Sequence, residues 1–427
     1  MLKILHRVVP RFAFSLALMI LFTTANAWSG SYKVLFNFTE KASSPSSGLV
    51  FDAAGNAYGV TSLGGHLNAG TAYELSPTTG FHIIFEFGKS SAGGHLPQGN
   101  LVLDSAGNLY GTTLQGGSTT HDCPSRGCGV VFELSPPQSG VGQWTETVLY
   151  TFCSIAFCQD GAEPAAGVIF DSAGNLYGTT AAAGMRSGGT VFKLTPSPTG
   201  WTESLLYNFL GGSTDGEIPQ SNLVFDSLGN LYGTTRKGGT SSGGIAFELS
   251  PNASGWTETI LHNFGAEGDG AQSLAGLVLD DSGNLYGTTS AGGNISCASG
   301  AGLGCGVVFE LTPDLGGDWT ETILHTFADR DGAVPYAGLV LDSEGNLYGT
   351  TTAGGEEGCS NVGCGTAFEL TPGADGNWSE TIFRFPGGIF GSAPSAPLVF
   401  DSTGNAYSTT VGGGRGPGAG VVFRITP

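Results

Sequence analysis

Basic residues are scarce in this chain: 15 Lys and Arg stand against 35 Asp and Glu, a formal charge of −20. Three of those bases, Lys3, Arg7 and Arg11, lie in the first 27 residues, which hold no acid, so the remainder carries −23. A surface so poor in cations cannot neutralise phosphates, which argues against nucleic acid and anionic membranes as partners. Long hydrophobic runs are missing too. The most apolar stretch, Phe12 to Phe22, falls well short of the roughly 20 residues that a spanning helix needs. Between a basic start and Ala25-Asn26-Ala27 it reads as the core of a secretory signal peptide covering residues 1–27, cleaved before Trp28. The mature chain, residues 28–427, is then expected to be a single soluble domain with no membrane span. It should be a monomer, secreted to the extracellular space, the periplasm or the cell envelope. No segment shows a sustained helical period. Signatures of hydrolytic or nucleotide chemistry are also absent: there is no G-x-S-x-G, no H-E-x-x-H and no phosphate loop.

What is present begins with cysteine. The eight form four close pairs, Cys123/Cys128, Cys153/Cys158, Cys297/Cys305 and Cys359/Cys364, and none has the C-x-x-C spacing. An even count behind a signal peptide predicts four local disulfides in an oxidising compartment rather than zinc sites.

Glycine is abundant, at 73 residues, and it marks a repeat. The unit D-x-x-G-N-x-Y recurs seven times, from Asp52–Tyr58 to Asp401–Tyr407, with its asparagines 52, 67, 55, 54, 62 and 59 residues apart. Each unit holds four short stretches rich in β-branched and aromatic residues, bounded by turn formers. In the sixth they are Ala337–Leu341, Asn346–Thr351, Gly365–Leu370 and Trp378–Phe385. Seven four-stranded units predict an all-β fold, a seven-bladed β-propeller with four antiparallel strands per blade. With strands named a to d from the axis outward, the mature chain opens on an orphan d strand, Val34–Phe38, and ends on a c strand, Val421–Ile425. The last blade is therefore predicted to combine residues 396–426 with 31–38, closing the ring. The repeated Tyr and Trp should pack blade on blade, and the repeated Asp should bond its own turn.

The core G-L-V-x-D-x-x-G-N-L-Y-G-T-T, as in Gly276–Thr289, is followed by G-x-x-F-E-L-T-P, as in Gly306–Pro313. Together they resemble the GloVer-type tandem repeat of the "choice-of-anchor" secreted bacterial proteins. That resemblance implies a bacterial envelope or extracellular protein and carries no activity with it. A weaker analogy runs to lactonase-like and lyase-like propellers, and fold analogy does not supply function.

Alternating strand directions put the b–c and d–a connections on one face. They are long, variable and hold every cysteine pair, which makes that face the expected binding surface. Two sets of residues stand out on it. Asp160, Asp215, Asp269 and Asp331, each followed by Gly, lie in d–a loops with Glu163 and Glu217 nearby. They are either turn formers or a ring of carboxylates at the channel mouth. No cofactor is implied by a motif, but Ca²⁺ would suit such a ring. His66, His95 and His121 fall in three consecutive connections and form an alternative metal set. The leading expectation is a noncatalytic binding or interaction module for a carbohydrate, peptide or protein. A metal-assisted lyase- or lactonase-like enzyme at the channel mouth is the runner-up, and a passive surface protein the third.

Overall fold

The computed structural model describes residues 31–426 apart from 118–122, 124–125, 139–141, 356–358, 360–361 and 417. The expected signal peptide and His121 lie outside the described residues. The architecture is a seven-bladed β-propeller. Blade 4 shows the plan: a Val224–Phe225, b Leu231–Thr234, c Ile245–Asn252 and d Gly255–Asn263, paired antiparallel in that order. Among the described residues there is no α-helix, only three short 3₁₀ turns. No helix among the described residues is long and apolar enough to cross a membrane.

Blade 7 closes as expected. Its a strand (Ser392–Pro394 with Val399–Phe400), b strand (Ala406–Gly412) and c strand (Val421–Ile425) are completed by Tyr32–Asn37 as d. The register sets Tyr32 against Ile425, Lys33 against Arg424 and Val34 against Phe423. The blade 6 c strand, Thr366–Pro372, outruns the expected Gly365–Leu370: Pro372 still pairs with Trp378. Pro is tolerated there because it sits at the hairpin end, where the ladder no longer needs its N–H.

The core lies between blades, because each four-stranded sheet is too thin to hide its own apolar faces. At every seam an aromatic residue just beyond one blade's d strand meets the c-strand ring of the next. Phe87 meets Phe132 at 5.1 Å, Phe152 meets Phe192 at 5.0 Å and Phe209 meets Phe247 at 5.1 Å. Phe264–Phe309, Phe327–Phe368 and Phe385–Phe423 repeat the contact at 5.0, 5.1 and 5.0 Å. Phe38 and Tyr73 make the seventh, at the closing seam, 5.1 Å apart. Such tilted pairs add roughly 0.5–1.5 kcal/mol each beyond burial.

The repeat motif is explained by its hydrogen bonds. In every blade the turn Asp gathers two backbone N–H groups, the Asn amide and the Tyr hydroxyl. For Asp52 these come from Ala54 and Asn56 at 2.9 Å, the Asn56 amide at 2.8 Å and Tyr58 at 3.1 Å. These Asp side chains are thus turn formers, as expected. Burial pushes the Asp401 carboxyl up, yet the bonds from Asn405 and Thr403 outweigh it and hold it at about 2. The first Thr of Y-G-T-T (Y-S-T-T in blade 7) stitches blades together: Thr234 donates to the Ala275 carbonyl at 3.0 Å, and Thr409 to the Ser47 carbonyl across the closing seam at 3.2 Å.

The glycine that opens each c strand has a steric reason. Gly306 has φ 87°, and a Cβ there would run into the Thr289 carbonyl and within 2.9 Å of Pro335 of the next blade. Gly306→Ala is therefore expected to lower the unfolding free energy by about 3 kcal/mol, from backbone strain and overpacking together. Denaturant titration checks this; an unchanged midpoint would show that the b–c corner is loose.

All four disulfides are local, linking Cys123–Cys128, Cys153–Cys158, Cys297–Cys305 and Cys359–Cys364. The first two pack against each other and Ala162, beside the loop that leaves blade 2.

Candidate functional site

The channel is lined by the residue two positions before the recurring Val or Ile of each a strand. Gly48, Asn100, Gly167, Asn222, Gly276, Gly338 and Pro397 occupy equivalent motif positions and crowd the axis. A Cβ on Gly167 would strike the Asn100 carbonyl oxygen, so the strands approach backbone to backbone. Asn100 and Asn222 use that proximity: their side-chain oxygens accept the N–H of Gly48 at 2.7 Å and of Gly167 at 2.8 Å. On the b–c/d–a side a cavity of about 470 Å³ opens over this constriction, walled by all seven blades. Its polar groups are Gln98, Gln220, Ser46, Ser395, Tyr336 and the two Asn, among Ala, Gly, Leu and Pro. It holds no Asp, Glu, His, Lys, Arg or Cys among its lining residues.

The loop carboxylates do not ring that mouth. Each d–a loop leaves the outermost strand, and its Asp comes early in the loop, so the Asp stays at the periphery while the later Pro and small residues reach the axis. Asp160 and Asp215 are buried at 1% and 3% exposure, each inside its own blade seam. Asp160 accepts from Tyr150 and from the backbone and hydroxyl of Ser154, all at 2.9 Å. Asp215 accepts from Tyr207 at 3.2 Å and from the Leu210 N–H at 2.6 Å. No two of the four loop Asp share a ligand cluster among the described residues, so the many-oxygen shell of Ca²⁺ is not assembled at the axis. Glu163 is exposed, and Glu217 pairs in register with Lys237. His66 and His95 join no ligand cluster among the described residues.

Each of the four Asp instead meets two partners at a seam between blades. One is a d-strand residue of its own blade, opposite the second residue of c: Tyr150, Tyr207, His262 or His325. The other is a Glu on the d strand of the next blade: Glu203, Glu258, Glu321 or Glu380. Tyr207 donates to Glu258 at 2.8 Å. His262 Nε2 lies 3.2 Å from Asp269 and 3.5 Å from Glu321, and His325 Nε2 lies 3.6 Å from Asp331 and 3.5 Å from Glu380. At the same positions two of the other three seams turn apolar: Phe383 stacks on Tyr32 at 4.9 Å, and Phe36 on Phe81 at 3.7 Å; at the seam between blades 1 and 2 the Glu remains, Glu146, accepting the Gly94 N–H at 2.9 Å. The Glu escaped notice in the sequence although Trp-Thr-Glu or Trp-Ser-Glu repeats five times, from Trp144 to Glu380. The Trp drew attention; the acid two residues on carried the signal.

Burial raises these glutamates, and the neighbouring Asp raises them further. Glu203 and Glu258 are both pushed up to about 7, as are Glu321 and Glu380. One oxygen of each Glu is buried without a hydrogen-bond partner. In the tyrosine seams, a proton on Glu258 would let that carboxyl donate to Asp215.

The Gloeobacter/Verrucomicrobia repeat family matches residues 118–362 and 295–427. The chain belongs to that family. No curated protein matches it. Among solved structures, this Gloeobacter/Verrucomicrobia repeat protein is similar to the extracellular domain of a one-component system from B. thetaiotaomicron. That match has 10% identity and a TM-score of 0.53, over 93% of this chain and 40% of that one. An ancestral GH74 enzyme matches with 12% identity and a TM-score of 0.52, over 90% of this chain and 51% of that one. At such identities the likeness shows the fold alone.

Proposed function

We infer that this repeat protein is an extracellular interaction module whose b–c/d–a face docks another polypeptide. One observation carries the reading. Nearly every exposed large apolar side chain lies on that face, including Leu67, Phe157, Met185, Leu210, Ile295 and Ile389, at 48–77% exposure. Among the described residues only Leu205, Leu228 and Leu315 lie elsewhere. Apolar side chains gathered on one face mark a protein partner, and disulfides hold several of the loops that carry them. The cavity between them offers amides and hydroxyls that both donate and accept, with no charged side chain among its described lining residues. It suits an uncharged segment of the partner better than catalysis. The net negative charge selects against acidic partners.

A photo-crosslinking amino acid placed at Met185 should capture a discrete polypeptide from the producing cell's extracellular fraction, and the same group at Leu228 should not. Adducts with polysaccharide, or equal capture at both positions, would overturn the reading.

A further inference from the structure

We propose that the seams between blades 4 and 5 and between blades 5 and 6 are divalent transition-metal sites of the zinc class. The donors are His262, Asp269 and Glu321 in one, and His325, Asp331 and Glu380 in the other. In each trio one ligating atom per residue lies within 4.8 Å of the others. The nitrogen-to-carboxylate separations of 3.2–3.6 Å match the edge of a tetrahedron whose metal bonds are about 2.0–2.1 Å, roughly 3.3 Å. Those of 3.5–3.6 Å are long for hydrogen bonds, while His262 and Asp269, at 3.2 Å, are also within hydrogen-bond reach. His325 Nε2 and Glu380 Oε1 are indeed buried without any hydrogen-bond partner, and so is Glu321 Oε1.

The same chain supplies the contrast. In the two preceding seams a tyrosine occupies the histidine position, and its hydroxyl is within hydrogen-bond distance of the facing carboxylates, Tyr150 of Asp160 and Tyr207 of Asp215 and Glu258. Imidazole there exchanges a donor for a metal ligand. One neutral imidazole and two carboxylates balance a dication, and the nitrogen selects zinc-like ions over Ca²⁺ or Mg²⁺. His262, Asp269 and Glu321 keep 21%, 9% and 12% exposure, enough for an ion to enter and for water to take the fourth position. The ion would clasp neighbouring blades at their outer edge.

The test uses the full mature chain after chelator treatment. Calorimetry with ZnCl₂ should show two sites, and the unfolding midpoint should rise by several degrees with the metal. Co²⁺ should give visible d–d absorption. His262→Tyr recreates the tyrosine seam already present in blade 3, so the variant should fold; it should lose one site. The H262Y/H325Y double variant should lose both, and its midpoint should no longer respond to zinc. No zinc heat on the folded wild type, unchanged binding by the double variant, or tighter Ca²⁺ than Zn²⁺ binding would each overturn the assignment.

Discussion

Removing residues 31–38 should abolish the folded monomer. The deletion takes away Tyr32, Val34, Phe36 and Phe38, whose burial at roughly 1.5–3 kcal/mol each sums to about 8 kcal/mol. That rivals the whole stability of a typical domain, about 5–15 kcal/mol. It also leaves Val421–Ile425 as an unpaired apolar edge, a template for aggregation. The expected outcome is an aggregated or unfolded product by light scattering and circular dichroism. A gain-of-stability companion guards against a trivial folding failure. Lys33 and Arg424 are register partners, so K33C/R424C should oxidise to a cross-terminal disulfide. Closing nearly the entire chain raises the unfolding free energy by about 6 kcal/mol in the chain-entropy limit. A truncated protein that stays monomeric with an unchanged midpoint, or a cysteine pair that will not oxidise, contradicts ring closure by the N-terminal strand.

Stability should fall as pH rises from about 5 to 8. Glu203 faces Tyr150 and Asp160, and Glu258 faces Tyr207 and Asp215; burial first, then the facing Asp, pushes both up to about 7. A carboxyl whose folded value is raised binds its proton more tightly in the native state. Its contribution is whole below the unfolded value near 4.5 and is lost as pH climbs through about 7. Asp52, Asp104, Asp171 and Asp401 run the other way, because the hydrogen bonds they accept outweigh burial. Asp401, held at about 2, stabilises above its unfolded value and loses that contribution as pH drops toward 2. The midpoint should therefore peak near pH 5. Glu258→Gln mimics the protonated seam and should raise stability at pH 8 by on the order of 1 kcal/mol, with little change at pH 5. Thermal unfolding across pH 3–9 decides it, and a wild type and variant with parallel profiles would show that Glu258 is ionised throughout.

The architecture was legible in the sequence because each blade repeats its packing with the same letters. Asp52, Asn56 and Tyr58 spell a turn whose bonds are local, and the orphan Val34–Phe38 strand announced its partner at Val421–Ile425. Local pairing of the cysteines followed from their spacing alone. The seams were harder to read, because they join residues some 50 positions apart. Nothing near Asp215 in the chain says that Glu258 faces it, since that contact exists only once two blades stack. The same geometry bears on the Asp–Gly loops, for which the sequence left turn formers and a ring of carboxylates both open. They do feed the innermost strands, but Asp160 and Asp215 occupy the outer part of each loop, and small residues such as Ala165 and Ala166 reach the axis. The apolar tips, Phe157 and Met185 among them, were ordinary hydrophobic letters until the fold exposed them on one face.

The central claim, that one face of the propeller recognises a polypeptide, is tested most directly by comparing two charge-neutral surface variants. One carries Phe157→Ser, Met185→Ser and Ile389→Ser on the b–c/d–a face; the other carries Leu228→Ser and Leu315→Ser on the opposite face. Both should match the wild-type midpoint, because all five side chains are at least half exposed and contribute little to the core. Retention of each labelled protein on the producing cell's protein-bearing envelope is then measured. The prediction is at least a tenfold loss for the first variant and wild-type retention for the second. Equal retention of the two, at matched stability, would contradict it.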